Sequence, residues 1–219
     1  NGVKLMEAFM YRFHPRTERV LELIRDGALG ELKQIRSSFT FPLDRPEDIR
    51  WDPKLGGGAL MDVGCYCVNV SRSLADAEPV QVRALANFRS SGVDEQMAGT
   101  LRFENGLLAH FDCALTMERT QVYHVFGSEG HMRVVDAFVL EDEDTDIEGF
   151  DLDNNLTRIP VQGADEYRLM VEHFANCVLK DRPVRYTPMD AALNMAVIEA
   201  LYESARNDGA VVDVASPAE

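Results

Sequence analysis

Long hydrophobic runs are missing from this chain of 219 residues, and their lack excludes a bilayer-spanning helix. Positive charge is scarce as well. Twenty-two lysines and arginines face 37 aspartates and glutamates, a formal net charge of −15. A surface of that sign repels phosphate backbones and anionic headgroups, so neither nucleic acid nor a membrane surface is expected as a partner. Cysteine is limited to Cys65, Cys67, Cys113 and Cys177, with no C-x-x-C spacing. Four small apolar residues in a reducing, cytoplasmic setting are expected, rather than disulfides or zinc. The five histidines show no H-x-H or H-x-x-x-H spacing, so no metal site is expected. His14, just before Pro15, is expected to hydrogen-bond locally at a helix entry. The acidic run over residues 141–155 lacks the glycine of a calcium loop and reads as a solvated excursion with a short edge strand. No serine, histidine and aspartate arrangement suggests a hydrolase.

What is present is ample core material. Hydrophobic residues make up 46% and charged residues 27%, an ordinary balance for one globular domain over 1–219. Residues 5–13 read as a strand, and Pro15 opens a helix with a Val20, Leu21, Leu23 and Ile24 stripe. Residues 33–41 alternate, with Ile35, Phe39 and Phe41 on one face. A polar loop over 42–55 leads into a helix reaching about Leu74. From Pro79 a strand is expected to put Val80, Val82, Ala84 and Ala86 on one face. Asn105-Gly106 suggests a type I′ turn in a hairpin over 99–115, and a second hairpin covers 121–135. A weak strand near 157–161, a helix capped by Asp165, a helix from Thr187-Pro188 and a closing strand at 211–214 complete the reading. The fold class is α+β: a large, mainly antiparallel open sheet with helices on one face, the other face free to meet a second copy.

The most informative stretch is Gly56-Gly57-Gly58-Ala59-Leu60-Met61-Asp62-Val63-Gly64-Cys65-Tyr66. Three glycines are expected to open a helix. Asp62 and Tyr66, four apart, then share one helical face. Gly64 between them removes a side chain, allowing a substrate or another backbone to come close. A carboxylate and a phenol presented together are parts for proton transfer at a hydroxyl or carbonyl. Arg50 and Arg12 are candidates to hold substrate hydroxyls or a cofactor phosphate, and Trp51 or Tyr11 to wall a sugar ring.

Three segments resemble the C-terminal domain of the glucose-fructose oxidoreductase, inositol dehydrogenase and rhizopine-catabolism (Gfo/Idh/MocA) family. They are Glu7-Ala8-Phe9-Met10-Tyr11-Arg12-Phe13-His14-Pro15, the run from Arg50 through Tyr66, and Leu201-Tyr202-Glu203-Ser204-Ala205-Arg206. Where many members have histidine, this chain has Tyr66, the form found in dihydrodiol and xylose dehydrogenases. The resemblance implies a sugar or diol dehydrogenase using NAD or NADP, with Tyr66 as the acid/base and Asp62 supporting it. It also implies oligomers formed through the sheet. G-x-G-x-x-G is missing, as is the family's Glu-Lys-Pro segment. The nucleotide-binding domain is therefore expected to lie outside this chain, cofactor-binding residues stay unassigned, and the chain alone is expected to be inactive. A non-catalytic sugar-sensing or assembly module on the same scaffold is the alternative.

Overall fold

The computed structural model describes residues 2–140 and 142–216. Glu141, counted above in the acidic run, lies outside the described residues. Nine strands form one sheet: β1 (Leu32–Pro42), β2 (Pro79–Phe88), β3 (Asp94–Phe103), β4 (Leu108–Ala114), β5 (Thr116–Gly127), β6 (His131–Val135), β7 (Thr145–Phe150), β8 (Leu156–Val161) and β9 (Val212–Asp213). Their order across the sheet is β8-β7-β6-β5-β1-β4-β3-β2-β9. Only β1 and β4 run parallel; every other pairing is antiparallel. The four α-helices are α1 (Pro15–Arg25), α2 (Cys65–Ala75), α3 (Glu166–Leu179) and α4 (Pro188–Arg206). Among the described residues no helix is long and apolar enough to cross a membrane.

Strand alternation decides where the core sits. Ile35, Phe39, Ala109, Phe111, Cys113, Met97, Leu101, Val82, Ala84, Tyr123 and Val125 are all buried, and the register sets them side by side on one face. The helix α2 covers β1 and β4, and α4 covers β2. On the opposite face the register lines up Arg158, Glu148, Arg133, His124, Arg36, His110, Thr100 and Arg83 across eight strands. That face is uncovered, and its charged row keeps it wettable.

Several local expectations need correction. Residues 2–9 have no regular structure, and Met10–Phe13 form a 3-10 turn instead of continuing a strand. The alternating rings found other partners: Phe9 packs on Tyr66, Tyr11 on Phe138 and Phe13 on Tyr186, so no neighbouring strand is needed to bury them. Val80 is 41% exposed because the β2–β3 register slips between Pro79 and Gln81. The Asn105-Gly106 turn is not type I′. Only Gly106 has positive φ (86°), Gly106 N–H donates to Phe103 O, and Phe103 N–H donates to Leu107 O, a three-residue loop ending in a bulge glycine. The acidic run contains β7, but β8 lies outside it, so β7 is not an edge. At the α1 entry the expectation holds, since His14 Nδ1 accepts the Arg16 N–H at 3.0 Å.

The glycine run does not itself become a helix. Gly56 ends the 3-10 turn Pro53–Leu55 with φ 71°. A Cβ on Gly58 (φ 129°) would fall 2.1 Å from Asp94 Oδ1. The chain then makes a π turn, Leu60–Gly64, that runs into α2. No side chain of the segment itself caps this start. Instead, buried Asp94 reaches over from β3: Oδ2 accepts the Leu60 N–H at 2.7 Å, and Oδ1 accepts the Tyr202 hydroxyl at 2.7 Å. Asp94→Ala is expected to cost about 2–4 kcal/mol, because two buried donors lose a charged acceptor. Tyr202→Phe is expected to cost about 1 kcal/mol. Urea denaturation of the chain measures both.

Candidate functional site

A cavity of about 350 Å³ opens on the helical side of the sheet, where α2, β1, β5 and α3 meet. Asp62, Val63 and Tyr66 line it from the π turn and α2, Phe39 and Phe41 from β1, Arg119 and Gln121 from β5, and Tyr167 from α3, with Met10, Arg50 and Val139 completing the wall. The four-residue step across the π turn brings Asp62 and Tyr66 to this one space.

The phenol is held by rings. Phe9, Phe39, Phe138 and Tyr11 lie 4.9, 5.4, 5.7 and 5.9 Å from Tyr66, centroid to centroid. Phe9 and Phe39 meet it edge-on and the other two are tilted, an enclosure that fixes ring orientation. Among the described residues the Tyr66 hydroxyl meets only the Met10 sulfur, at 3.4 Å. A thioether is a weak acceptor, so the hydroxyl retains its capacity for a ligand oxygen. Burial, reinforced by Cys65, Tyr167, Asp62 and Glu166, pushes the phenol above its ordinary range. The group is a neutral O–H donor throughout the physiological pH range.

Asp62 is tied to Arg50. Nε of Arg50 donates to Asp62 Oδ2 at 2.7 Å, while its Nη1 donates to Asp48 Oδ1 at 3.1 Å. Asp48 also accepts the Arg50 backbone N–H, capping the 3-10 turn Ile49–Trp51. Burial raises Asp62 above the usual carboxylate range, and the Arg50 pair opposes that without cancelling it. For Arg50, burial works against the charge, but its bonds to Asp62 and Asp48 outweigh it and raise its affinity for protons.

Asp62, Tyr66 and Arg50 thus converge, but the other three candidates do not. Tyr11 is fully buried, its hydroxyl donating to Asn69 Oδ1 at 2.6 Å, and it supports the Tyr66 ring from behind instead of walling a ligand. Trp51 is buried beneath the Arg89 guanidinium, 4.2 Å from its ring centroid. Arg12 faces a separate space of about 470 Å³ with Arg72, Tyr186 and Asp190; it binds Asp190 at 2.5 Å and stacks on Tyr186. In each case a strong local partner consumed the side chain. Conversely, Arg119, Gln121, Tyr167 and Met10 line the cavity and were not foreseen. Arg119 and Gln121 share the core face of β5 with Tyr123 and Val125; polar residues continuing an apolar stripe were the available signal. Gly64 admits neither substrate nor backbone. A Cβ there would lie 2.7 Å from Cys113 Sγ and 2.8 Å from Leu60 Cδ1.

Residues 17–133, more than half of the chain, match the GFO/IDH/MocA C-terminal domain. The chain belongs to that family. It is 36% identical to D-xylose 1-dehydrogenase (NADP(+)) 2 of Haloferax volcanii over 211 residues, which are 96% of this chain and 65% of that protein. It is 30% identical to the mouse trans-1,2-dihydrobenzene-1,2-diol dehydrogenase over 135 residues, 61% of this chain and 40% of the relative. The crystal structure of aldose-aldose oxidoreductase from Caulobacter crescentus, complexed with glycerol, superposes with a TM-score of 0.88 at 28% identity. That alignment covers 97% of this chain and 64% of the other. The chain therefore spans less than two thirds of these relatives. The expected α+β class, a large and mainly antiparallel sheet with helices on one face, is what the structure has, with one parallel pair among nine strands of the described residues.

Behind the cavity, Glu166 is fully buried, with Oε1 accepting the Leu140 N–H at 3.2 Å and Oε2 without a partner among the described residues. Burial raises its carboxyl to about 7, although the Leu140 bond and Arg16 pull the other way. The folded state then holds a proton that the unfolded chain releases near its ordinary value, so this group's contribution to stability is complete below about 4.5 and is lost as pH rises to about 7. Glu166→Gln is expected to flatten that fall, as read by denaturation midpoints from pH 4.5 to 8. Gly64→Ala is expected to destabilise by about 1–3 kcal/mol through overpacking. Adding Cys113→Ala should recover part of the loss, measured by the same denaturation.

Proposed function

We propose that this chain is the substrate-binding part of an NAD(P)-dependent oxidoreductase acting on a CH–OH group of a sugar or diol. The observation that carries the reading is a phenol fixed by four rings, with its hydroxyl free of any oxygen or nitrogen partner among the described residues, beside a carboxylate in the same cavity. The relatives' names support it: a D-xylose dehydrogenase, a dihydrodiol dehydrogenase and an aldose-aldose oxidoreductase.

The residues fit a dinucleotide only in part. A space of about 350 Å³ lies at the low end for ligand pockets, and the chain has no glycine-rich phosphate turn. We assign the dinucleotide to a nucleotide-binding domain in the part of the relatives' length beyond this match. When bound, a nicotinamide supplies the hydride chemistry. This chain's residues orient the carbinol and move its proton. In reduction, the neutral Tyr66 hydroxyl gives its proton to the carbonyl oxygen as that oxygen gains charge. In oxidation, the same oxygen takes the carbinol proton, a task that burial makes harder and that a cation from the rest of the protein would ease. Asp62, oriented by Arg50, accepts a neighbouring substrate hydroxyl. The uncovered sheet face is assigned to contact with a second copy.

In the full-length protein, Tyr66→Phe is expected to lower kcat by about 100-fold or more with little change in the sugar KM. Steady-state rates of NADPH formation on aldoses measure this. Unchanged turnover would remove Tyr66 from proton transfer.

A further inference from the structure

The cavity's hydrogen-bonding groups are unevenly spread. Its one carboxylate, Asp62, is already occupied by Arg50, which also holds Asp48. Opposite, β5 presents Arg119 and Gln121 on the same face, roughly 7 Å apart. Arg119 has no hydrogen bond or ion pair among the described residues. Gln121 is 4% exposed. Its Oε1 accepts the Val139 N–H at 2.8 Å, which fixes the amide orientation and leaves Nε2 donating to no protein acceptor among the described residues. This end of the cavity therefore offers the guanidinium of exposed Arg119 and the amide NH₂ of Gln121, neither donating to a protein acceptor among the described residues. A group with acceptors and no protons of its own is the best complement, and a negative charge strengthens both bonds.

We propose that Arg119 and Gln121 form an oxyanion subsite that reads a carboxylate or phosphate carried by the substrate, away from the reacting carbinol. The inference rests on the sugar-dehydrogenase reading and narrows it to sugars with one charged end. The subsite is bounded. Beyond Arg119 and Val139 lies a second space of about 570 Å³ in which the carboxylates of Asp136, Glu143, Asp144, Asp146 and Glu148 outnumber Arg16 and Arg158, whose guanidinium groups already have partners. An anion extending past Arg119 meets those carboxylates, so a short acid fits and a diphosphate-linked sugar does not. Long-range attraction plays no part, because the molecule's net charge is −15 and would repel the ligand until it is within bonding distance.

The test compares D-glucose with D-glucuronate, which differ only at C6, on the full-length protein with saturating NADP. The wild type is expected to favour glucuronate roughly tenfold in kcat/KM, as a charge-assisted contact allows. Arg119→Ala should abolish that preference by lowering the glucuronate value far more than the glucose value, and Arg119→Lys should restore part of it. Gln121→Glu keeps the acceptor for Val139 and replaces the donor by an oxyanion, so it should reject glucuronate selectively. Thermal-shift binding of the two sugars repeats the comparison without turnover. If neither sugar is oxidised, the activity reading fails, and binding alone decides the subsite. Equal binding of both sugars to the wild type overturns the proposal. So does a preference unaffected by either substitution, or an effect confined to the KM for NADP, which would assign the donors to the cofactor's phosphate.

Discussion

A helix that begins inside a protein exposes backbone N–H groups to an environment without water, and something must accept them. Here the segment that carries Asp62 and Tyr66 starts just after Gly58, with no capping side chain of its own. The acceptor is Asp94, contributed by a strand 34 residues further along. The same carboxylate receives the Tyr202 hydroxyl from α4. One buried group therefore ties the start of the site helix to the sheet below it and to the helix beside it. Gly58 is what lets the carboxylate approach, since any side chain there would occupy its place. The glycines serve a long-range bond to the scaffold, and the direction in which Asp62 and Tyr66 point follows from it.

The π turn extends this constraint into the cavity. Cys65 N–H reaches back to Leu60 O as well as to Val63 O, so the backbone is locally wider than an α-helix. Such a bulge is sustained only when tertiary packing holds it. On one side Gly64 packs closely against Cys113 of β4; on the other, the Tyr66 ring is enclosed by Phe9, Phe39 and Phe138. The apolar cage that orients the phenol also raises its proton affinity. Orientation and acidity are therefore coupled: burial supplies a well-placed proton donor and at the same time withholds the ionised form. The Arg50 guanidinium does not relieve this, because its charge is already shared between Asp62 and Asp48.

Most of the architecture was legible because strand alternation is a direct consequence of burying one face. Residues 33–41 and the two hairpins read correctly from that pattern alone. What failed was decided by partners far along the chain. Residues 5–13 alternate like a strand, yet their rings pack between α2, α3 and the 136–140 turn, so no sheet pairing follows. The candidate site shows the same division. Asp62 and Tyr66 were recognisable from spacing and resemblance, and Arg50 from its position before the glycines. Tyr11 and Arg12 carry equally suggestive chemistry, but Asn69 and Asp190, which engage them, are 58 and 178 residues distant. A polar residue's availability depends on whether its bonds are already made, and no local pattern records that.

The same criterion separates the two arginine-bearing spaces. Around Arg12, the buried guanidinium groups are matched: Arg72 holds Glu78 with two nitrogens, its Nη1 donates to Asn194, and Asp190 bridges Arg12 and Arg72. A network closed on itself stiffens the junction of α2 and α4 and gives a ligand little to gain. Around Tyr66 the matching stops short. The phenol, the Gln121 amide nitrogen and Arg119 all face one space, and the acid among them is already bound. Folding stability alone would favour filling such a space with apolar side chains or pairing its donors internally. Three donors lining one cavity, none engaged by a protein oxygen or nitrogen among the described residues, are intelligible when the acceptors arrive with a substrate: one oxygen at the reacting carbon, and others at its far end.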